Sequence, residues 1–363
     1  MEAHLLIVWA NGLAKPQAAD ALDLIRLPVL RRQRLLWPGD RFMANLSRFY
    51  DRDIATLQLK SHETGLGECL TFVLRDDAPR YEARLTSTGL RLVNAAMFDL
   101  REAMRARLGG NMVHATVTAE EGRRDLYLLT GQRADAWLQQ PAMAEEAAPS
   151  QADLVGAHGW KHLDEIFALF NEALPYLVLR NFEGLPDQIY VPGHNDVDML
   201  VSNRDAAVRL LGGKPVFPQP WRVHYSIDFN GHDVRFDLRH IGDKYYDTRW
   251  ELDLLSRRIM APGGFYRPEP IDYFYTLLYH AVVHKRAMKP DYAERLSRMA
   301  ADLAGWTIAQ DLFFDRNRAL EILSRHMNGR GYKPTVPSDH SVFCIFRPQQ
   351  QAQQQPQQQA QQQ

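Results

Sequence analysis

Asn230-Gly231 is the feature that most restricts how this chain can fold. It stands between two runs, residues 222–229 and 232–239, in which polar and apolar side chains alternate. Alternation is the period of a strand with one buried face. A two-residue type I′ turn needs two residues that accept positive φ, and Asn-Gly supplies them. The segment is expected as a tight hairpin with Phe229 opposite His232. Counting outward sets His224 opposite Asp237. On the second strand Val234, Phe236 and Leu238 share one side, and Arg235, Asp237 and Arg239 the other. An aspartate between two arginines, on the polar face of an otherwise apolar strand, calls for a chemical reason.

A second strand supplies one. Asp196-Val197-Asp198 opens the run DVDMLV, and alternation places both carboxylates on one face. Carboxylates two residues apart at a strand end suit hard, oxygen-preferring cations. Asp237 follows Asp198 by 39 positions, room for an intervening helix and strand. Three carboxylates from two strands are what two-metal phosphoryl transfer requires.

On these residues the chain resembles the nucleotidyltransferase superfamily, with its DNA polymerase β-like fold, and within it the divergent branch of small nucleotidyltransferase-like proteins. In that family an Asp-x-Asp strand follows a short glycine-containing loop, and a third Asp lies on a later strand. Asp196 and Asp198 match the pair, and Asp237 the third position. The resemblance implies that Asp196, Asp198 and Asp237 are catalytic and bind Mg²⁺ (or Mn²⁺), and that Asp237 helps activate an acceptor hydroxyl. It implies a nucleotide donor, an NTP or a CDP-type molecule. The hydroxyl acceptor would be a sugar or glycan, as in polysaccharide biosynthesis. The family's glycine-serine phosphate loop is not clear here. Arg180-Asn181 ends the strand LVLR where that loop begins, and Gly193-His194-Asn195 leads into the pair. Arg180 is expected to take the phosphate in place of backbone amides. Asn181, His194, Asn195, Arg235, Arg239 and Lys244 are the other candidate substrate-binding residues.

Other readings compete. A metal-dependent glycosyltransferase using a nucleotide sugar also carries Asp-x-Asp, but needs no third carboxylate on an adjacent hairpin. A degenerate nucleotidyltransferase fold could serve as a non-catalytic binding module. Asp-x-Asp alone also occurs in surface loops and caps. His280 and His284 lie one turn apart in YFYTLLYHAVVHK, where a zinc-protease helix would carry Glu at the position of Ala281. They are expected to pack beneath the site, with Lys285 solvated. Gly242 to Tyr246 reads either as a pocket wall or as a packed aromatic turn.

Composition removes some classes. The 43 basic and 44 acidic residues nearly cancel, which argues against non-specific nucleic-acid binding. Cys69 and Cys344 show no metal-ligand spacing. The N-terminus has no basic n-region, and no apolar run reaches the roughly 18 residues of a membrane span, so a cytoplasmic protein is expected.

The fold class is expected to be α+β. Residues 1–135 read as a mixed domain: a strand at 5–9, a helix over 18–32, strands at 68–74 and 81–86, a helix over 94–108, and strands at 112–118 and 125–129. Lys60, Arg75, Arg80, Arg84 and Arg105 stand near Gly65-Leu66-Gly67, which is not a dinucleotide fingerprint. His114 to Thr116 offer polar groups without a recognisable role. Residues 136–155, rich in Ala, Gln, Glu and Pro, read as the connection. The resemblance implies that residues 156–347 are the nucleotidyltransferase-like domain, with C-terminal helices. Residues 348–363 contain only Gln, Ala and Pro, and a segment without large apolar side chains is expected to be disordered.

Overall fold

A computed structural model describes residues 1–142, 147–188, 196–304 and 308–348. His194, Asn195 and the glutamine-rich tail after Pro348 lie outside the described residues. The chain is mixed α+β and divides into two compact units. The first comprises Met1–Lys161, Glu165–Leu174 and Val208–Gly212; the second comprises His162–Asp164, Pro175–Ala207 and Gly213–Gln363.

In chain order the first part carries β1 (Glu2–Val8), α1 (Ala10–Leu13), α2 (Ala18–Leu22), β2 (Val29–Leu36), α3 (Phe42–Tyr50) and α4 (Gln58–Thr64). There follow β3 (Cys69–Asp76), β4 (Tyr81–Thr86), β5 (Gly89–Asn94), α5 (Ala95–Leu108), β6 (Val113–Ala115), α6 (Ala119–Thr130), α7 (Ala134–Leu138) and β7 (Ala147–Gln151). Among the described residues, a five-stranded sheet runs β6-β1-β3-β2-β7, with β4 and β5 as a separate hairpin. Leu6, Val8, Phe72 and Leu74 of the sheet pack on Met97, Met104 and Leu108 of α5.

Three expectations for this unit need correction. The helix over 18–32 stops at Leu22, and Val29 starts a strand. Pro28 lacks an N–H and biases the residue before it to extended backbone, so the helix cannot run through. The strand over 125–129 is instead the second half of α6. Thr118 caps that helix by accepting from Glu121 N, while the Glu121 carboxylate accepts from Val117 N at 2.9 Å. This is the Thr-x-x-Glu start signal of a helix. Finally, 136–155 is not a free connection. It begins inside α7 and contains β7, which pairs in parallel with β2 at Gln33↔Ala147 and Leu36↔Gln151. Covering the outer edge of β2 removes an open row of backbone donors and acceptors.

The remaining elements are α8 (Leu163–Ala173), β8 (Tyr176–Val178), β9 (Asp196–Val201), α9 (Arg204–Leu211), β10 (Lys214–Pro215), β11 (His224–Phe229) and β12 (His232–His240). Then come α10 (Thr248–Arg257), the short paired strands β13 (Ile259–Met260) and β14 (Tyr266–Arg267), α11 (Pro270–Val283), α12 (Pro290–Ala304) and α13 (Arg316–Arg330). The second sheet runs β10-β11-β12-β9-β8. Its hairpin has the expected register, Phe229↔His232 through His224↔Asp237. Asn230 and Gly231 take φ of 52° and 80°, the left-handed pair that a type I′ turn needs. β12 then pairs in parallel with β9, so the chain between them crosses over. A 3₁₀ turn at Gln310–Phe314 lies between α12 and α13. Helix α11 is buried from Asp272 to Val283, which is why its sequence is apolar all round. No described helix is long and apolar enough to cross a membrane.

Candidate active site

Strand register builds the site. In the second sheet Asp198 of β9 lies beside Asp237 of β12, and Asp237 lies opposite His224 of β11. On the other side of β9, Leu179 N donates to Asp198 O at 2.8 Å, and the next residue, Arg180, reaches the Asp198 carboxylate with its side chain. Asp198, Asp237 and His224 thus form one row across three neighbouring strands, with Arg180 joining it from just beyond β8. Asp196 shares the face of Asp198 two residues earlier. One carboxylate oxygen from each of Asp196, Asp198 and Asp237 lies within 4.8 Å of the others. Two oxygens on opposite sides of a hard cation at about 2.1–2.4 Å would be about 4.2–4.8 Å apart. The spread suits a shared ion.

The carboxylates are short of partners. Asp198 is buried and paired with Arg180. Burial nevertheless pushes its carboxyl up to about 7, with Asp237 and Asp196 adding repulsion against the pull of Arg180 and Arg239. Asp237 is pushed up to about 6, again chiefly by burial, with Asp196 and Asp339 opposing Arg239 and Arg180. Asp237 Oδ1 is buried and accepts no hydrogen bond, although His224 Nε2 stands 3.2 Å away. A buried carboxylate oxygen without a donor is costly unless a cation compensates it.

These groups open into a cavity of about 470 Å³. Lys285, Arg286 and Lys289 from the turn between α11 and α12, with Tyr292, also line it. Burial and the neighbouring Arg180 and Lys289 lower the Lys285 ammonium. Behind the carboxylates, Tyr245 stacks on His284 at 4.2 Å, and the Arg239 guanidinium lies 4.2 Å from the same ring. Tyr245 OH meets His280 Nδ1 at 2.5 Å, and its carbonyl lies 3.0 Å from His284 Nε2. Burial lowers His284 to about 3 and His280 well below the usual imidazole range. Burial, with Arg222 and Arg239, likewise lowers His224 to about 4.

The structure therefore sorts the candidates. Asp196, Asp198, Asp237, Arg180 and Arg239 line one cavity. Arg180 differs from its expected role, because its Nη2 is taken by Asp198. Arg239 is buried, 3.5 Å from Asp243 and 3.9 Å from Asp339. Three candidates fall away. Asn181 turns off the strand at φ 57° and accepts from Arg295 Nη1 at 2.9 Å. Arg235, two residues nearer the hairpin turn than Asp237, is exposed, and the cavity wall does not reach it. Lys244 is an exposed left-handed turn residue outside the cavity. Sequence reasoning missed Arg286, Lys289, Tyr292, Asp339 and the segment Ser341 to Phe343. Lys285, expected in solvent, and His280 and His284, expected beneath the site, all reach its wall.

In comparisons with known proteins, no family model, no curated protein and no solved structure matches the chain.

Proposed function

We propose that the second unit is a divalent-metal-dependent nucleotidyl- or phospho-transferase that moves a group from a nucleotide donor to a hydroxyl acceptor, with a sugar or glycan as the acceptor class. The observation that carries this reading is the convergence of Asp196, Asp198 and Asp237 within 4.8 Å, with a donorless buried oxygen on Asp237, in one cavity with Lys285, Arg286 and Lys289. A cation bound by the three carboxylates would supply Lewis-acid neutralisation of donor phosphate oxygens. Lys285, Arg286 and Lys289 offer point charges for the rest of the phosphate chain. Arg180 holds Asp198 in place, and the Tyr245–His284 stack fixes Arg239 behind it. Asp237 would orient the acceptor hydroxyl.

The adjacency of Asp237 to Asp198 favours this reading over a metal-dependent glycosyltransferase, which needs no carboxylate there. The donorless oxygen supports a bound cation over a module that leaves the carboxylates empty. The test is thermal unfolding with Mg²⁺ or Mn²⁺ and each of the four NTPs. A ligand that binds only the folded state raises Tm. Metal-dependent stabilisation by a nucleotide in the wild type, absent in Asp196→Ala/Asp198→Ala, is the expected result. No shift with any metal or nucleotide would reject it.

A further inference from the structure

A second cleft adjoins the carboxylate cavity at the turn between α11 and α12. Its volume of about 310 Å³ falls at the lower end of the roughly 300–1,000 Å³ typical of small-molecule sites. Ala281 and Val282, buried near the end of α11, line it together with Phe313 of the 3₁₀ turn. Met288 and Phe314 extend the apolar lining, and Phe314 is 49% exposed. Apolar side chains scattered singly over a surface need no explanation, but a concavity lined by them does. Arg286 and Arg316 stand among them, and no carboxylate lines the cleft among the described residues. Arg316 Nη2 donates to Lys285 O at 3.0 Å and also to Arg286 O, which ties α13 to the turn and leaves its Nε and Nη1 for a ligand. Arg286 also lines the carboxylate cavity, where its guanidinium lies 5.0 Å from the Phe343 ring. It is a wall common to both.

We propose that this cleft binds the apolar chain of a phosphate-bearing amphiphile, with Arg286 and Arg316 taking the phosphate. Apolar walls favour a hydrocarbon chain over water. A phosphate monoester carries about −1.5 to −2 charges near pH 7, and two guanidiniums without a competing carboxylate match it better than they match the single charge of a fatty acid. Because Arg286 borders both cavities, the amphiphile is the acceptor, an assignment that rests on the transferase reading of the carboxylate site. The acceptor class then narrows from a free sugar to a hydroxyl compound joined through phosphate to an apolar chain.

The experiment is calorimetric titration of the full chain with octyl phosphate, octanoate, octyl glucoside and inorganic phosphate, the amphiphiles kept below their micelle concentrations. Octyl phosphate should bind about tenfold or more tightly than each of the other three. Phe314→Ser removes a wall, and Ala287→Trp fills the cleft from an exposed position. Each should weaken octyl phosphate by about tenfold or more, with circular dichroism establishing that both variants are folded. When Mn²⁺ is bound at the carboxylates, the proton resonances of the octyl chain should relax faster in the wild type and not in either variant. Octyl phosphate that binds no more tightly than inorganic phosphate would overturn the apolar site. Equal affinity for octanoate or octyl glucoside would overturn the phosphate assignment, and unchanged affinity in both folded variants would place the binding elsewhere. Binding of both octyl phosphate and Mn²⁺ without faster relaxation would overturn the acceptor role. Octyl phosphate binding that the variants weaken, in a protein that binds no Mn²⁺, would overturn the transferase reading and the acceptor role with it, and leave the ligand of the cleft standing.

Discussion

Buried carboxylates around the first sheet are satisfied, whereas several around the second are not. In the first, Asp76 accepts from Asn94 Nδ2 at 2.8 Å and from Ala78 N at 3.0 Å. Asp125 has His114 Nε2 at 2.8 Å and Arg124 Nη1 at 2.6 Å. Each is closed within its own unit. In the second, Asp237 Oδ1, Asp243 Oδ2 and Asp339 Oδ2 are buried with no hydrogen-bond donor. Burial of a charge is tolerable when partners replace water and expensive when they do not. A satisfied network explains itself as architecture. An unsatisfied one, concentrated around a cavity, points to something that arrives from outside.

The largest expected effects break this contrast directly. Asp237→Asn should abolish Mn²⁺-dependent stabilisation, whereas Asp125→Asn should leave it intact, as measured by Tm with and without metal. If Asp125→Asn abolished it as well, the distinction between the sheets would fail. Asp198→Ala should remove metal binding and also strand the buried Arg180 guanidinium. The cost is expected at about 3–5 kcal/mol in denaturant unfolding. Loss of metal binding without loss of stability would mean that Arg180 finds another partner.

pH sharpens the same comparison. Burial and mutual repulsion raise Asp198 to about 7 and Asp237 to about 6. Between the unfolded carboxylate value of about 4 and those values, the folded metal-free protein holds protons that the unfolded chain has released. Its stability therefore falls as pH rises through this window. Below about 4 both states are protonated and the penalty is absent; above about 7 it is constant. A cation must displace the protons, so the Mn²⁺-dependent rise in Tm should be larger at pH 8 than at pH 5.5. Equal gains at both pH values would contradict the raised carboxyls.

Smaller effects belong to single backbone positions. Asn94→Ala removes the α5 cap and a donor to Asp76, an expected cost of about 1–2 kcal/mol with metal binding unchanged. Gly231→Ala meets no atom within 4 Å of the added Cβ, so only the left-handed backbone objects, by about 1 kcal/mol in thermal or denaturant unfolding. A larger loss would mean that the hairpin register depends on that turn alone.

Much of the site was legible because strand chemistry is local. Asn230-Gly231 dictates a turn, the turn dictates register, and register places His224 against Asp237. Alternation alone puts Asp196 and Asp198 on one face. The parallel pairing of Asp237 with Asp198 was not readable, because it joins strands across a crossover. Nor was Asp339, which reaches the cluster from an irregular segment more than 100 positions further on. Arg286 and Lys289 read as ordinary surface cations until the turn between α11 and α12 faces them to the cavity. In the first unit, the Thr118-Glu121 start signal makes 125–129 helical despite its apolar content, and Pro28 ends the helix expected over 18–32.

Anomalous diffraction at the manganese edge, from crystals grown with Mn²⁺, tests the central claim most directly. The prediction is a peak about 2.0–2.4 Å from carboxylate oxygens of Asp196, Asp198 and Asp237. Crystals at saturating Mn²⁺ with no peak among these three residues, and with their carboxylates paired to other protein groups, would contradict it.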